Sequence, residues 1–429
     1  MENNIPEKTR KYRWFIFIVL STAYFFVYFH RLSFPVVAND IAREFNTTGG
    51  ILGLLGSLYF YCYAFMQLPA GLLSDSIGPR KSVSSFLLIA AVGSIIFGYA
   101  PTIEVAFIGR FMVGLGVSMV FIPTMKILSQ WFVTREFAMM AGILNAVGGI
   151  GVLAATWFLA LMAEKLGWRV SFQIIGISTI AIAGFAWSVV RDRPQDKGWP
   201  PITEIDIKKG DAATVKENIP LLAGMRSVVS EKYFWPIAFW FFLNCGVFFS
   251  FGGLWGGPYL MHVYDMTKEE SGMVLSMIAW GMILGSPFLG ILSDKILKSR
   301  KKPFIICNLI LVMELVFLYV FPAGMPKFVL YIWFFIFAIS ASAIVVVGFT
   351  MTKELFPVEI AGTSVGTVNL FPFLGGAVFM PFLGKVLDSY SKTEVGGYST
   401  EAYTSVFLIL LISSVISLIC TLFMKETYK

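Results

Sequence analysis

Charge is what this sequence has least of: 14% of its 429 residues are Asp, Glu, Lys or Arg, against about 25% in an average soluble protein. With 57% hydrophobic residues and no soluble domain on which the formal charge of +7 could form a basic patch, a nucleic-acid-binding role is excluded. Cysteine is scarce too. Cys62, Cys245, Cys307 and Cys420 stand singly in apolar stretches, so neither a disulfide framework nor a zinc site has support. Two histidines, no nucleophile motif and no phosphate-cradling loop leave no catalytic constellation, and no enzymatic activity, metal or cofactor is expected.

Apolar length is abundant instead. Twelve runs recur, at 13–37, 48–72, 82–100, 105–130, 138–161, 169–190, 233–257, 269–292, 303–322, 327–351, 361–384 and 401–424. A helix of about 20 such residues crosses a hydrocarbon core of about 30 Å. The fold class is therefore an all-α membrane protein of twelve transmembrane helices in a lipid bilayer. Lys8, Arg10 and Lys11 precede the first run and Arg13 opens it; the run has no small-residue cleavage site and reads as a retained span rather than a secretory signal. The one long polar connection, 191–232, divides the chain into a six-helix bundle at 1–190, a connector and a six-helix bundle at 233–429.

Arg80-Lys81, the connector, the cluster from Lys295 to Lys302 and Lys425 fall on one side if the helices alternate. The positive-inside rule then sets both termini, and the connector, on the cytoplasmic side of the cytoplasmic (inner) membrane. The halves echo each other: Gly71-Leu-Leu-Ser-Asp75 matches Gly290-Ile-Leu-Ser-Asp294, and Phe132, Gly142 and Asn145 keep the mutual spacing of Phe356, Gly366 and Asn369. Duplication of a six-helix unit is the simplest account.

Inside the runs, polar residues are few enough to name. Tyr24, Tyr28 and Arg31 share one face of the first helix at i, i+4 and i+7. An arginine at bilayer depth costs about 2.5–3.5 kcal/mol on insertion scales, so it faces a bundle interior or wet cavity unless it snorkels to the interface. Its planar fork suits capture of a carboxylate or phosphate. Tyr59, Tyr63 and Gln67 form a second stripe, in the second run, with packing as the alternative. Lys126 follows Pro123 in the fourth run and either meets a ligand or reaches the interface. Asn145, Asn244 and Asn369 either contact substrate or bond between helices. The glycines Gly142, Gly148, Gly149, Gly151, Gly362, Gly366, Gly375 and Gly376 suit close helix approach.

Gly71-Leu-Leu-Ser-Asp75-Ser-Ile-Gly78-Pro-Arg80-Lys81 closely resembles the loop between the second and third helices of the major facilitator superfamily, and Arg110-x-x-x-Gly114-x-Gly116 its fourth-helix motif. Tyr28-Phe-His-Arg31-Leu-Ser, Asp40-Ile-Ala-Arg-Glu-Phe45, Gln67-Leu-Pro-Ala-Gly71 and Pro123-Thr-Met-Lys126 further resemble its organic-anion symporters, which carry hexuronates and sugar acids. The resemblance implies two pseudo-symmetric bundles rocking about a central site, with Arg31 on the carboxylate of a small anionic substrate. It also implies a proton as coupling ion, gating charges at Asp75, Arg80, Lys81, Asp294 and Arg300, and a monomer. For Arg110 it implies a link to coupling, beside the reading of a structural arginine.

Three departures stand out. His30 replaces the family's frequent Asp before the arginine, Arg110 to Pro123 holds no acid, and the seventh run has no Lys or Arg, which disfavours phosphate-ester exchange. His30 and Glu314 remain as coupling candidates, Glu314 with interhelical pairing as its alternative. Proton-driven efflux of a metabolite, siderophore or drug is the second reading. A transporter-like ligand sensor is the third.

Overall fold

In lipid a backbone has no water to bond, so each apolar run closes its own N–H and C=O groups as a helix. The structure, a computed structural model, describes residues 7–67, 69–202, 221–357, 360–393 and 396–428. Residues 203–220, within the connector, lie outside the described residues. Eleven helical stretches are long and apolar enough to cross a membrane, and no β-strand occurs among the described residues. The longest, Met139–Val189, has 51 residues, which as one helix would reach about 76 Å, far beyond a bilayer core. It breaks at Gly167, whose φ of 80° leaves the helical region, and so supplies the fifth and sixth of twelve spans.

The remaining spans are Glu7–Leu32, Gly49–Met66, Pro79–Tyr99, Ile103–Trp131, Phe234–Val263, Lys268–Ile296, Lys301–Val320, Lys327–Leu355, Ala361–Asp388 and Thr400–Phe423. Three boundaries depart from the hydropathy reading. The first run ends at Leu32, and a separate helix, Phe34–Glu44, begins with Pro35 in its first turn. The second stops at Met66, with Pro69 opening a short helix to Ile77. The seventh continues past Gly257 and through Pro258 to Val263. Among the described residues, π-helical turns interrupt three spans, at Ala154–Phe158, Phe248–Trp255 and Ile339–Ala343, and close the eighth at Leu292–Ile296.

The chain forms two compact units, and they do not coincide with the sequence halves. One comprises Met1–His30, Phe65–Gly151 and Arg169–Glu217; the other comprises Arg31–Ala64, Val152–Trp168 and Asn218–Lys429. In the first unit, the first and fifth spans meet where a Cβ on Gly151 would lie 2.4 Å from the Phe25 carbonyl oxygen. Arg13, buried at the start of the first span, makes two bonds to Glu136, of 2.7 and 3.1 Å. In the second unit, the seventh and eleventh spans touch where a Cβ on Gly375 would lie 2.1 Å from the Phe242 carbonyl oxygen. By contrast, a Cβ on Gly142, Gly362 or Gly366 would meet nothing within 4 Å among the described residues, so the close-approach reading has no support at those three positions.

Candidate functional site

Arg31 is the second unit's buried guanidinium, 7% exposed. Nε donates to the Tyr59 hydroxyl at 3.4 Å, and the guanidinium carbon stands 4.9 Å from the Tyr63 ring centre and 5.1 Å from that of Phe373. Tyr59 stacks on Tyr63 at 5.8 Å, and Tyr63 on Phe373 at 4.2 Å. Phe249 lies parallel to Phe373 at 6.1 Å and 4.8 Å from Phe60. Aromatic faces attract the cation electrostatically, so the cage steadies the fork. The i, i+4 stripe of Tyr59 and Tyr63 was legible in the sequence. Phe249 and Phe373, which complete the cage from the seventh and eleventh spans, were not, since a lone Phe among 42 carries no signal.

In the first unit Tyr24 donates to Asn145 Oδ1 at 3.4 Å, joining two predicted residues, and packs on Tyr28 at 5.2 Å and Phe121 at 5.5 Å. His30 is fully buried, with Phe29 at 6.0 Å and the charge of Arg110 acting on it. Arg110 is itself buried, 5.8 Å from the Phe97 ring centre. Gln67 is buried where the second span ends. In the second unit Asn369 is half-buried at the junction between the helices Ala361–Val368 and Leu370–Asp388.

Two predicted ligand residues are engaged elsewhere. Lys126 pairs with Asp75, and both are substantially exposed. Asn244 Nδ2 donates to the Ala341 carbonyl at 2.6 Å, within the π turn of the tenth span, so its amide ties two helices. Glu314 Oε2 lies 2.8 Å from Ser340 Oγ, the interhelical pairing that the sequence left open.

The predicted gating residues divide between the two units. In the first, Arg80 donates its backbone N–H to Asp192 at 2.6 Å and its Nε to the Trp187 carbonyl at 2.9 Å, while Lys81 is exposed. In the second, Arg300 pairs with Asp294 and, at 2.8 Å, with Glu354, and its backbone N–H donates to Glu426 at 2.8 Å. Sequence reasoning missed Asp192 and Glu426. Each stands three residues past the last helix of its half, after Val189 and Phe423, and each caps the start of the third or ninth span. Matching Arg191-Asp192 with Lys425-Glu426 would have exposed that echo. Burial opposes ionisation of Glu426, yet bonds from Ser299 and three backbone N–H groups hold its carboxyl down at about 2.

Comparison with known proteins bears on this geometry. A family model described as Major Facilitator Superfamily matches residues 20–256 and 255–429. The chain is 24% identical to a probable hexose phosphate transport protein of Chlamydia trachomatis, over 90% of this chain and 88% of that one. It is also 24% identical to the membrane sensor protein UhpC of Salmonella typhimurium, over 91% of this chain and 89% of that one. Among solved structures, a bacterial homolog of the human lysosomal transporter Spinster, inward-facing and unoccupied, superposes with a TM-score of 0.77 over 96% of this chain and 98% of that one, at 17% identity.

Proposed function

Because the chain belongs to the Major Facilitator Superfamily, we propose that it moves a small organic anion across the cytoplasmic membrane by alternating access, with Arg31 as the anion's anchor. The observation that carries this reading is the guanidinium of Arg31, buried and steadied by Tyr59, Tyr63 and Phe373. A permanent charge taken out of water is tolerated where it has work to do, and a planar fork in a dry site binds carboxylate or phosphate strongly. The relative named for hexose phosphate supports an anionic cargo. A carboxylate or sugar acid is the finer proposal, supported by a seventh span without Lys or Arg, which offers no second cation for a phosphate dianion.

Proton symport is the proposed coupling. Cytoplasmic termini are proposed with it, supported by the basic clusters beside Asp75 and Asp294. The test is counterflow in proteoliposomes with labelled uronates, other sugar acids and phosphate esters. Arg31→Ala and Arg31→Lys should each lose transport by tenfold or more while melting like the wild type, since charged hydrogen bonds contribute about 1.5–3 kcal/mol. Full uptake by the alanine variant would remove Arg31 from the site. Preference for phosphate esters would overturn the carboxylate proposal but keep the anion.

The relative named as a membrane sensor favours a second reading, ligand sensing without flux. Saturable binding with no counterflow would select it.

A further inference from the structure

The transport reading names no carrier for the proton, and a carboxyl outside the Arg31 cage has the surroundings of one. Glu314 is buried in the ninth span. Its Oε2 lies 2.8 Å from Ser340 Oγ, Oε1 has no hydrogen-bond partner among the described residues, and no described cation forms a salt bridge with it. A serine hydroxyl has one proton to give. Yet Ser340 Oγ is within bonding distance of two acceptors, Glu314 Oε2 at 2.8 Å and the Phe337 carbonyl at 3.2 Å. Both contacts are used at once when the carboxyl keeps its proton and donates to Oγ, while the hydroxyl donates to Phe337. The alternative, an ionised carboxylate with one donor and one bare oxygen inside a membrane-embedded bundle, carries an uncompensated desolvation cost.

We propose that Glu314 is a proton-binding site of the second half of the chain, a neutral carboxyl held by Ser340 at the π turn of the tenth span. Release of the proton to water leaves a carboxylate that claims the single Ser340 proton and takes it from Phe337. The next residue, Ala341, is the one whose carbonyl accepts from Asn244 of the seventh span, which places that span one residue from the site. On its own span, Cys307 interacts electrostatically with Glu314. Titratable or charged groups on the elements packed against that span are Lys327, Tyr331, Lys353 and Glu354 on the tenth, Glu401, Tyr403 and Cys420 on the twelfth, and Asp294 and Lys295 at the end of the eighth. Proton binding stands independently of the transport reading; its use in coupling rests on that reading.

Two measurements test this. Infrared difference spectra of the purified protein at neutral pH should contain a protonated-carboxyl band that shifts in deuterated water, disappears in Glu314→Gln and moves in Ser340→Ala, where the carboxyl loses its acceptor. A spectrum without any band sensitive to Ser340→Ala overturns the site, and this holds even if Glu314→Gln does not fold. In proteoliposomes, uptake driven by an imposed pH gradient should be lost in Glu314→Gln. An equal gradient response in variant and wild type overturns the coupling role. Absence of counterflow for every anion in the wild type defeats the transport reading instead, and leaves the infrared result to stand alone.

Discussion

Asp388 and Gly49, 339 residues apart, are joined by a 2.6 Å hydrogen bond from the glycine N–H to carboxylate Oδ1. The next amide, Gly50 N–H, reaches Oδ2 at 2.7 Å, so one carboxylate caps the first turn of the second span. The backbones meet at Gly49 and Gly384, neither of which has a side chain: a Cβ on Gly384 would lie 2.1 Å from the Gly49 carbonyl oxygen. The Tyr398 hydroxyl donates to the same Oδ1 at 2.7 Å.

Gly384→Ala should therefore force the second and eleventh spans apart and lower stability by about 1–3 kcal/mol, the usual cost of overpacking. Asp388→Ala leaves two amides and a phenol without their acceptor and should cost a similar amount, about 1–3 kcal/mol. Melting temperature in detergent reads both. A wild-type melting temperature for Gly384→Ala would show that the approach is not a packed contact in solution.

Asn244→Ala should destabilise as well, by about 1–3 kcal/mol, because the Ala341 carbonyl loses its buried donor. Asn244→Leu, which fills the space without a donor, should not recover that loss. If Asn244 contacts substrate instead, both variants melt normally and lose affinity, a combination that separates the two roles.

The cap at Glu426 predicts an acid dependence. Its carboxyl is held at about 2, below its ordinary 4.5, so its contribution is fully present above the unfolded value and is lost as the pH falls through the folded one. Glu426→Gln should lower the melting temperature at neutral pH, with the gap to wild type closing as the pH approaches about 2. A gap that is unchanged with pH would mean that the carboxylate charge is not what caps Arg300.

Twelve spans were legible because hydropathy is a local sum: each run carries its own reason to be a helix in lipid. The echo of Gly71 to Asp75 in Gly290 to Asp294 survives for a similar reason, as spacing along the chain. Arg31 announced itself through rarity. Its neighbour Phe373 did not, because that residue is one apolar side chain among many until the eleventh span is brought beside the second.

Lys126 illustrates the converse. Sequence alone left it between ligand and interface, and its partner, Asp75, lies in a different helix. The sequence by itself determined the number of spans, the echo between the halves and the presence of an arginine inside the first apolar run, all of which follow from what a residue is and how far along the chain it lies. Only the tertiary structure decided that Asp388 caps Gly49, that Glu426 caps Arg300 and that Ser340 stands between Glu314 and Phe337. Hydrogen bonds depend on ångström distances between side chains whose separation in sequence carries no distance information, and helix packing is what supplies it.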